Sequence, residues 1–211
     1  MNYYKNIFSL KNKIVFVIGG SGLIGIEAVK SLRAYGAKII NIDVKKNKSC
    51  KFNVHFDCSD LKNLEVNYLS IVKKFGAPDI LVNCSYPKTN DWKKNTFLNL
   101  YKNSFHSNVQ SHLNSYILLS RITANLMKKN NISGSIVLLG SIYGVVGQDA
   151  SIYEKTNMQE NMTYSIIKGG IINFTRQMAS YYGKYKIRIN CICPGGILDK
   201  TNSKNKRFIQ N

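Results

Sequence analysis

The chain has 211 residues, 44% of them hydrophobic, and carries 30 basic against 11 acidic residues for a formal net charge of +19. This length fits one domain with a real core, and the composition excludes a disordered chain and a protein with many membrane spans, since no apolar run reaches the roughly 18 residues that a bilayer requires. Lysine supplies 25 of the 30 basic residues, in scattered positions, and arginine, the preferred base-reading residue, is scarce, so we predict a solvated basic surface and no nucleic-acid partner.

Two hydrophobic patterns take turns along the chain. Short runs rich in β-branched residues are typical of strands buried on both faces, and longer stretches carry apolar residues at helical spacing. In chain order we predict a strand at 13–18, a helix at 23–35, strands at 38–43 and 51–56, a helix at about 60–75, a strand at 79–82, a helix at about 98–129, a strand at 134–139, a helix at 164–182 and a strand at 187–192.

Strands that alternate with helices imply right-handed crossovers and a parallel sheet that is covered by helices on both faces. The sequence therefore predicts an α/β fold with a doubly wound parallel sheet, in a single domain over residues 1–211. Ligands of such sheets bind beyond the carboxyl ends of the strands, so residues that carry chemistry are expected directly after strands.

A glycine-rich loop follows the first predicted strand and leads straight into a helix. Its sequence, Gly-Gly-Ser-Gly-Leu-Ile-Gly at 19–25, allows a tight turn and close backbone approach, and the helix start presents free N–H groups to a pyrophosphate. The loop therefore indicates a Rossmann-type domain that binds NAD or NADP. The residues that we assign to this loop are Gly19, Ser21, Gly22, Leu23, Ile24 and Gly25.

Acidic residues end the next two strands. Asp43 closes the second strand, where a carboxylate accepts hydrogen bonds from the adenosine ribose and repels a 2′-phosphate. This position predicts NAD rather than NADP, although Lys45 and Lys46 leave room for the phosphorylated cofactor. Asp57 follows the third strand, where it could meet the adenine edge or, with Asp60, cap the next helix.

Candidate catalytic side chains follow the later strands. Tyr164 and Lys168 are four positions apart, so both project from one helix face, and a cation beside the phenol is expected to lower the tyrosine pKa. Such a tyrosine can give a proton to a carbonyl or take one from an alcohol. Ser141 follows the fifth strand, Asn83 ends the fourth strand, and Asn108 lies within the long predicted helix.

Taken together, these motifs resemble those of the short-chain dehydrogenase/reductase family, over essentially the whole chain. The joint occurrence of the pieces in the family's order makes the resemblance specific. The matching pieces are the loop at 19–25, Asp43, Asp57 with Cys58, Asn83-Cys84-Ser85, Asn108, Ser141, Tyr164 with Lys168, and Pro194-Gly195-Gly196.

The resemblance implies a dehydrogenase or reductase that acts on CH–OH groups with NAD or, less expectedly, NADP. By resemblance, Tyr164 is the acid/base, Ser141 polarises the substrate oxygen, Lys168 holds the nicotinamide ribose, and Asn108 supports a proton-relay water. Asn83 shapes the cofactor cleft. The implied cofactor-binding residues are Gly19, Ser21, Gly22, Leu23, Ile24, Gly25, Asp43, Asp57, Cys58, Asn83, Tyr164, Lys168, Pro194, Gly195 and Ile197.

The segment between Ser141 and Tyr164 is unusually long. We expect its extra part, at about 145–162, to face the substrate. Motifs within and after this segment are similar to bacterial flagellin-modification oxidoreductases of the same family, which act in making nonulosonic acid sugars. A sugar or sugar derivative is therefore the expected substrate. The alternatives are a non-catalytic NAD(H)-binding relative or fragment, and an enzyme like the 3-oxoacyl-thioester reductases.

Family members usually continue past the Pro-Gly motif with a covering helix, a last strand and a subunit contact. From about residue 200 the present sequence is polar and then stops, so we expect this part of the family fold to be missing. The family would form homodimers or homotetramers, an assembly that the short C-terminus places in doubt.

Five scattered cysteines, at positions 50, 58, 84, 191 and 193, form no disulfide framework, and the first residues lack the apolar core of a signal peptide. We therefore expect a cytoplasmic protein that contacts no membrane. The three histidines have no ligand spacing, so no metal site is predicted.

Overall fold

The computed structural model of the protein describes residues 7–156 and 158–198. The expectations for Asn157 and for the residues from Asp199 to the C-terminus lie outside these ranges. Among the described residues, six strands form one parallel sheet in the order β3-β2-β1-β4-β5-β6. The strands are β1 (Ile14–Ile18), β2 (Lys38–Asp43), β3 (Phe52–His55), β4 (Ile80–Asn83), β5 (Ser135–Leu139) and β6 (Arg188–Ile192).

Helices connect the strands and pack on both faces of the sheet. A π-helical turn, Val109–Leu113, joins the third helix to the fourth. The helices are α1 (Leu23–Ala34), α2 (Leu64–Phe75), α3 (Lys102–Asn108), α4 (Asn114–Lys129) and α5 (Met162–Tyr182). The predicted doubly wound α/β fold of the Rossmann type is thereby confirmed.

The core lies on both faces of the sheet because successive side chains of a buried strand point to opposite sides. Val15 of β1 packs with Val29 of α1 on one face. Phe16 packs on the other face with Tyr68 of α2 and Tyr116 of α4, and all three side chains are fully buried. The strand order reverses between β1 and β4, and a crevice forms outside their carboxyl ends at that point.

Two predicted helices begin later than expected. The long helix starts at Lys102 rather than near residue 98, because Asn99 donates its backbone N–H to Thr96 Oγ1 and its carbonyl accepts from the Thr96 N–H, which closes a local turn. The second helix starts at Leu64 rather than near Asp60. The side chain of Asp60 instead accepts hydrogen bonds from Asn63, in the turn that precedes the helix.

Candidate active site

A cavity of about 1220 Å³ opens beyond the carboxyl ends of the central strands. Its wall includes Gly19 after β1, Asp43 at the end of β2, Cys84 after β4 and Gly140 after β5. Most of the site residues predicted from the sequence meet here. Those that line the cavity are Gly19, Ser21, Gly22, Leu23, Ile24, Asp43, Asp57, Cys58, Tyr164, Lys168, Pro194, Gly195 and Ile197.

The glycine loop is held tightly against the strand ends. Gly19 has a φ of +74°, in the left-handed region, and its N–H donates to the carbonyl of Ile42. A Cβ atom at Gly19 would lie 2.6 Å from the backbone nitrogen of Ser85, so only glycine fits. Gly25 does not line the cavity, but a Cβ there would collide with the carbonyl oxygen of Gly19. Its role is therefore to bring α1 close to the loop.

The start of α1 faces the cavity without a side-chain cap. Gly22 is the N-cap residue, no side chain caps the helix, and its first turn contains no acidic residue. Leu23 and Ile24, the first two helical residues, line the cavity. The free N–H groups and the dipole of a helix start favour an anion. This end of the cavity therefore fits the pyrophosphate of a dinucleotide.

The carboxylate of Asp43 is fixed by two backbone N–H groups. Its Oδ2 accepts from the N–H of Ser21 at 2.9 Å, and its Oδ1 accepts from the N–H of Lys45 at 2.9 Å. Each carboxylate oxygen keeps a lone pair for a further donor. Because Asp43 also lines the cavity, it can accept hydrogen bonds from the hydroxyl groups of a ribose.

Asp57 and Cys58 line the same cavity, but Asp57 is hydrogen-bonded within its own turn and Cys58 is largely buried. Asp57 Oδ1 accepts from the N–H and the hydroxyl of Ser59, at 2.8 and 2.6 Å. This contact closes a local turn and does not cap the next helix, which begins at Leu64 without a side-chain cap, so the capping alternative that the sequence left open is wrong for Asp57. Burial raises the pKa of the Cys58 thiol to about 11, so this cysteine is a neutral wall residue.

Tyr164 and Lys168 lie one turn apart on α5 and face the cavity together. The Lys168 ammonium is 5.7 Å from the centre of the Tyr164 ring and donates a hydrogen bond to the carbonyl of Leu139 at 2.7 Å. Ser141, which follows β5, is buried and is not part of the cavity wall. Its hydroxyl accepts from the Tyr143 N–H at 3.2 Å and is near enough to the Tyr164 phenol to lower its pKa. The structure thus brings together three of the four predicted catalytic groups.

Burial changes the titration of both groups on α5. It lowers the pKa of Lys168 to about 8. It also raises the pKa of Tyr164, because desolvation outweighs the opposing hydrogen bond with Ser141. The predicted lowering of the Tyr164 pKa is therefore wrong for this structure. The helical spacing correctly predicted that the two side chains are neighbours. It did not predict how strongly burial removes both of them from solvent.

Two predicted asparagines are buried outside the cavity wall. Asn83 Oδ1 accepts hydrogen bonds from the N–H and hydroxyl of Ser85, at 3.1 and 2.7 Å, and so shapes the loop after β4. The Asn108 amide donates to Thr89 Oγ1 and to the Ser104 carbonyl, both at 2.7 Å, and accepts from the Thr89 N–H at 2.9 Å. Asn108 is thus engaged in fixing the segment before α3. The structure does not bring it to the cavity wall.

Several side chains around Tyr164 were not singled out from the sequence. The ring of Tyr86, which lines the cavity, lies 6.1 Å from that of Tyr164 and 5.7 Å from that of Trp92. Asn161 caps α5. Two signals were available: Tyr86 directly follows the matched motif at 83–85, and Asn161 is a capping residue type before an apolar helix. Trp92 is far in sequence and had no such signal.

The long segment before α5 packs against the start of this helix. Its Gln148 donates to the hydroxyl of Ser165 at 2.8 Å and to the Asn161 carbonyl at 2.9 Å, and it accepts from the Tyr153 hydroxyl at 2.8 Å. These bonds place polar side chains beside Tyr164. None of the described residues of this segment is part of the cavity wall, so the expectation that the segment faces a substrate stays a prediction.

Metal and membrane features are limited within the part of the chain that the structure describes. No three side chains among histidine, cysteine, aspartate and glutamate come together there in a way that could hold a metal ion. None of the described helices combines the length and the apolar character that crossing a bilayer requires.

Comparison with known proteins identifies relatives with the same architecture. The family model described as "Enoyl-(Acyl carrier protein) reductase" matches residues 21–210. Post-translational flagellin modification protein A of Campylobacter coli is 30% identical over 203 residues, which is 90% of this chain and 79% of that protein.

Two solved structures extend the likeness to three dimensions. A short-chain dehydrogenase from Leptospira borgpetersenii with bound NAD+ has a TM-score of 0.84 and 32% identity, over 100% of this chain and 79% of its own. A 4-hydroxyisoleucine dehydrogenase complexed with NADH has a TM-score of 0.75 and 26% identity, over 90% of this chain and 78% of its own.

Proposed function

This chain belongs to the short-chain dehydrogenase/reductase family, and from that premise we propose that it is an NAD-dependent oxidoreductase acting on a sugar or sugar derivative. The reaction transfers a hydride between the nicotinamide and a carbonyl or alcohol carbon. The observation that carries the proposal is one cavity with Tyr164 and Lys168 at one end and the glycine loop with Asp43 at the other.

The residues of the cavity fit a dinucleotide. The N–H groups at the start of α1 hold the pyrophosphate, and Asp43 holds the adenosine ribose. By the family resemblance, Lys168 would hold the nicotinamide ribose, and the cavity-lining residues Pro194, Gly195 and Ile197 would lie beside the nicotinamide. When bound, NAD supplies the hydride acceptor, and NADH the hydride donor. The negative charge of Asp43 disfavours the extra phosphate of NADP, so NAD is the working cofactor.

Side chains on α5 and after β5 transfer the proton and bind the substrate oxygen in the proposed reaction. In reduction, the Tyr164 hydroxyl gives its proton to the carbonyl oxygen, and in oxidation Tyr164 takes the proton of the alcohol. The Ser141 hydroxyl, which is near the Tyr164 phenol, would donate a hydrogen bond to the same oxygen and so polarise it, while it accepts from the Tyr143 N–H. The ammonium of Lys168, 5.7 Å from the Tyr164 ring, stabilises the phenolate that forms.

A sugar substrate is supported by the walls around Tyr164. Gln148 and Ser165 lie beside the start of α5, outside the cavity wall, and the amide and hydroxyl that now bond each other can instead bond a polyol. The half-exposed ring of Tyr86 offers a flat apolar surface for the C–H face of a sugar. The name of the Campylobacter coli relative refers to flagellin modification, which agrees with the nonulosonic acid sugars that the sequence resemblance implied. The basic surface would attract phosphorylated or nucleotide-linked sugars.

A substrate panel tests the proposal. Purified protein is assayed in both directions with free sugars, nucleotide-linked sugars and nonulosonic acid precursors, and the absorbance of NADH reports turnover. Oxidation or reduction of a member of this panel, with higher kcat/KM for NAD(H) than for NADP(H), is the expected result. No turnover of any sugar, together with reduction of a thioester, contradicts the assignment.

The second candidate is a reductase of acyl thioesters. It is favoured by the description of the matching family model, which names an acyl-carrier-protein reductase. An acetoacetyl thioester in the same panel separates this candidate from a sugar oxidoreductase. A third possibility, NAD(H) binding without catalysis, would show cofactor binding by calorimetry and no turnover of any substrate. The cytoplasmic location, the absence of nucleic-acid and membrane partners, and a homodimer or homotetramer stay predictions.

A further inference from the structure

His112 is a fully buried histidine that the proposed chemistry leaves unused. It belongs to the π-helical turn Val109–Leu113, and none of its surface is exposed to solvent. Neither ring nitrogen has a hydrogen-bond partner among the described residues. Buried imidazole nitrogens without partners are rare because each carries a desolvation penalty. A polar group is therefore expected to fill this place when the protein works.

His112 shares its surroundings with Lys168. The centre of its ring lies 5.1 Å from the Tyr86 ring and 5.4 Å from the Tyr116 ring. The Lys168 ammonium lies 5.8 and 5.6 Å from the same two rings. The hydroxyl of Tyr116 is engaged with the carbonyls of Asn83 and Ser85, so it does not serve the histidine. The imidazole and the ammonium thus face one small aromatic compartment.

The charge of this compartment resides on the lysine. Burial and the neighbouring positive charge of Lys168 hold the pKa of His112 well below its usual range. The imidazole is therefore neutral, with one N–H donor and one acceptor nitrogen. Tyr86 and Tyr116 are the other titratable groups that face it, and burial raises the pKa of both, so neither adds a negative charge.

The Lys168 ammonium can donate further hydrogen bonds in the same compartment. An ammonium group carries three N–H donors, and one of them goes to the Leu139 carbonyl at 2.7 Å. A single water that accepts from Lys168 and exchanges a hydrogen bond with the imidazole would give the ammonium a further acceptor and one of the two ring nitrogens a partner. Such a site is polar and has the two or more partners that a buried water needs.

We propose that His112 is a positioning residue: through one buried water it holds the Lys168 ammonium in place beside Tyr164. This inference rests on the proposed reaction, because it assigns a support to the lysine that serves the acid/base tyrosine. His112 is fully buried behind the cavity wall and has no exposed surface that a substrate could contact.

Matched variants separate this role from simple packing. His112→Phe keeps a flat ring and removes both nitrogens, while His112→Gln keeps one donor and one acceptor. We expect His112→Phe to lower kcat on the order of 10²-fold and to shift the pH profile of kcat, with KM for NAD and the denaturation midpoint little changed. His112→Gln should recover most of the loss. His106→Phe, on the exposed face of α3, should match the unaltered protein.

Nuclear magnetic resonance of ring nitrogens in the full chain, labelled with nitrogen-15 histidine, gives a readout that needs no turnover. The His112 signals should stay those of a neutral ring and shift near pH 8, where Lys168 titrates, and this step should vanish in Lys168→Met. A His112 ring that titrates independently of Lys168, or a His112→Phe protein with unchanged kcat and pH profile, overturns the inference. If no substrate is turned over, the proposed function fails, while the resonance experiment still decides the inference.

Discussion

The side-chain oxygen of Asn161 accepts a hydrogen bond from the backbone N–H of Tyr164 at 2.9 Å. The amide nitrogen of Asn161 donates to the carbonyl of Trp92 at 2.8 Å. One residue thus caps the helix that carries the acid/base tyrosine and joins it to the loop after β4. The position of Tyr164 depends on both contacts.

Replacement of this cap is expected to affect stability and turnover together. Asn161→Ala should lower the free energy of unfolding by about 1 kcal/mol, as the loss of a helix N-cap does, and should lower kcat more than it raises KM. Urea denaturation and steady-state kinetics measure the two effects. Asn161→Asp keeps the capping oxygen but places a second acceptor against the Trp92 carbonyl, so it should keep the cap and lose the connection to the loop after β4. An alanine variant that matches the unaltered protein in both measurements contradicts this interpretation.

The hydroxyl of Tyr164 is expected to be essential for turnover. Tyr164→Phe should lower kcat by at least about 10²-fold, the usual minimum for a lost general acid, while NAD binding measured by calorimetry stays nearly the same. Tyr181→Phe is the matched control, since Tyr181 lies on the same helix with 52% of its surface exposed. Substantial activity of Tyr164→Phe would show that another group moves the proton.

The cofactor preference is expected to depend on Asp43. Asp43→Ser removes a charge that faces the ribose, so the ratio of kcat/KM for NAD to that for NADP should fall by about tenfold or more, which corresponds to about 1.4 kcal/mol. Initial rates with both cofactors measure this ratio. Glu65→Gln, an exposed position on α2, controls for the change in net charge. Equal use of both cofactors by the unaltered protein would rule out a role of Asp43 in selection.

The sequence predicted the buried strands and the functional residues at their ends well. It predicted the contacts between distant segments poorly. β-branched runs that end in Gly19 or Asp43 identify buried strands and the residues at their ends, because burial on both faces leaves a strong hydrophobic pattern. The helix spacing of Tyr164 and Lys168 likewise indicates that they are neighbours. The compartment around His112 joins three elements that are distant in sequence, and no local pattern encodes it. Spacing was also silent on desolvation, which decides the direction of the Tyr164 pKa.

A methyl group on the glycine loop is expected to disrupt it. Gly19→Ala places a Cβ 2.6 Å from the Ser85 nitrogen and forces an alanine into a φ of +74°. We expect an increase in the Kd for NAD of tenfold or more, which corresponds to about 1.4 kcal/mol, and a lower denaturation midpoint. Gly147→Ala has open space around the added atom and should change neither. Calorimetry and thermal denaturation of both variants decide the matter.

Stability is expected to depend on pH through Lys168. Burial lowers its pKa from 10.5 to about 8, so between these values the unfolded chain holds a proton that the folded chain has lost. The free energy of unfolding therefore increases as pH rises from about 8 to 10.5. Below pH 8 Lys168 is charged in both states, and the folded state bears the full cost of burying that charge. Lys168→Met removes this cost and should be more stable at pH 7, by up to about 3 kcal/mol.

Urea denaturation at several pH values tests this dependence. The difference in stability between Lys168→Met and the unaltered protein should shrink as pH rises above 8. Lys62→Met, an exposed position before α2, should give a difference that is the same at every pH. A Lys168→Met protein that is less stable throughout would mean that the contacts of the ammonium outweigh its desolvation.

The π-helical turn Val109–Leu113 is expected to lower the stability of the protein while it orients residues that turnover requires. A π-helical turn has poorer hydrogen-bond geometry than the α-helices on either side of it. Deletion of one residue there would let the chain continue as a regular helix, which favours stability, but it would rotate Ser107 and Gln110, which line the cavity, relative to His112 in the aromatic compartment. A screen for thermal tolerance alone would reward this deletion, and selection for turnover would remove it. Stabilised variants of this protein are therefore best sought away from this turn.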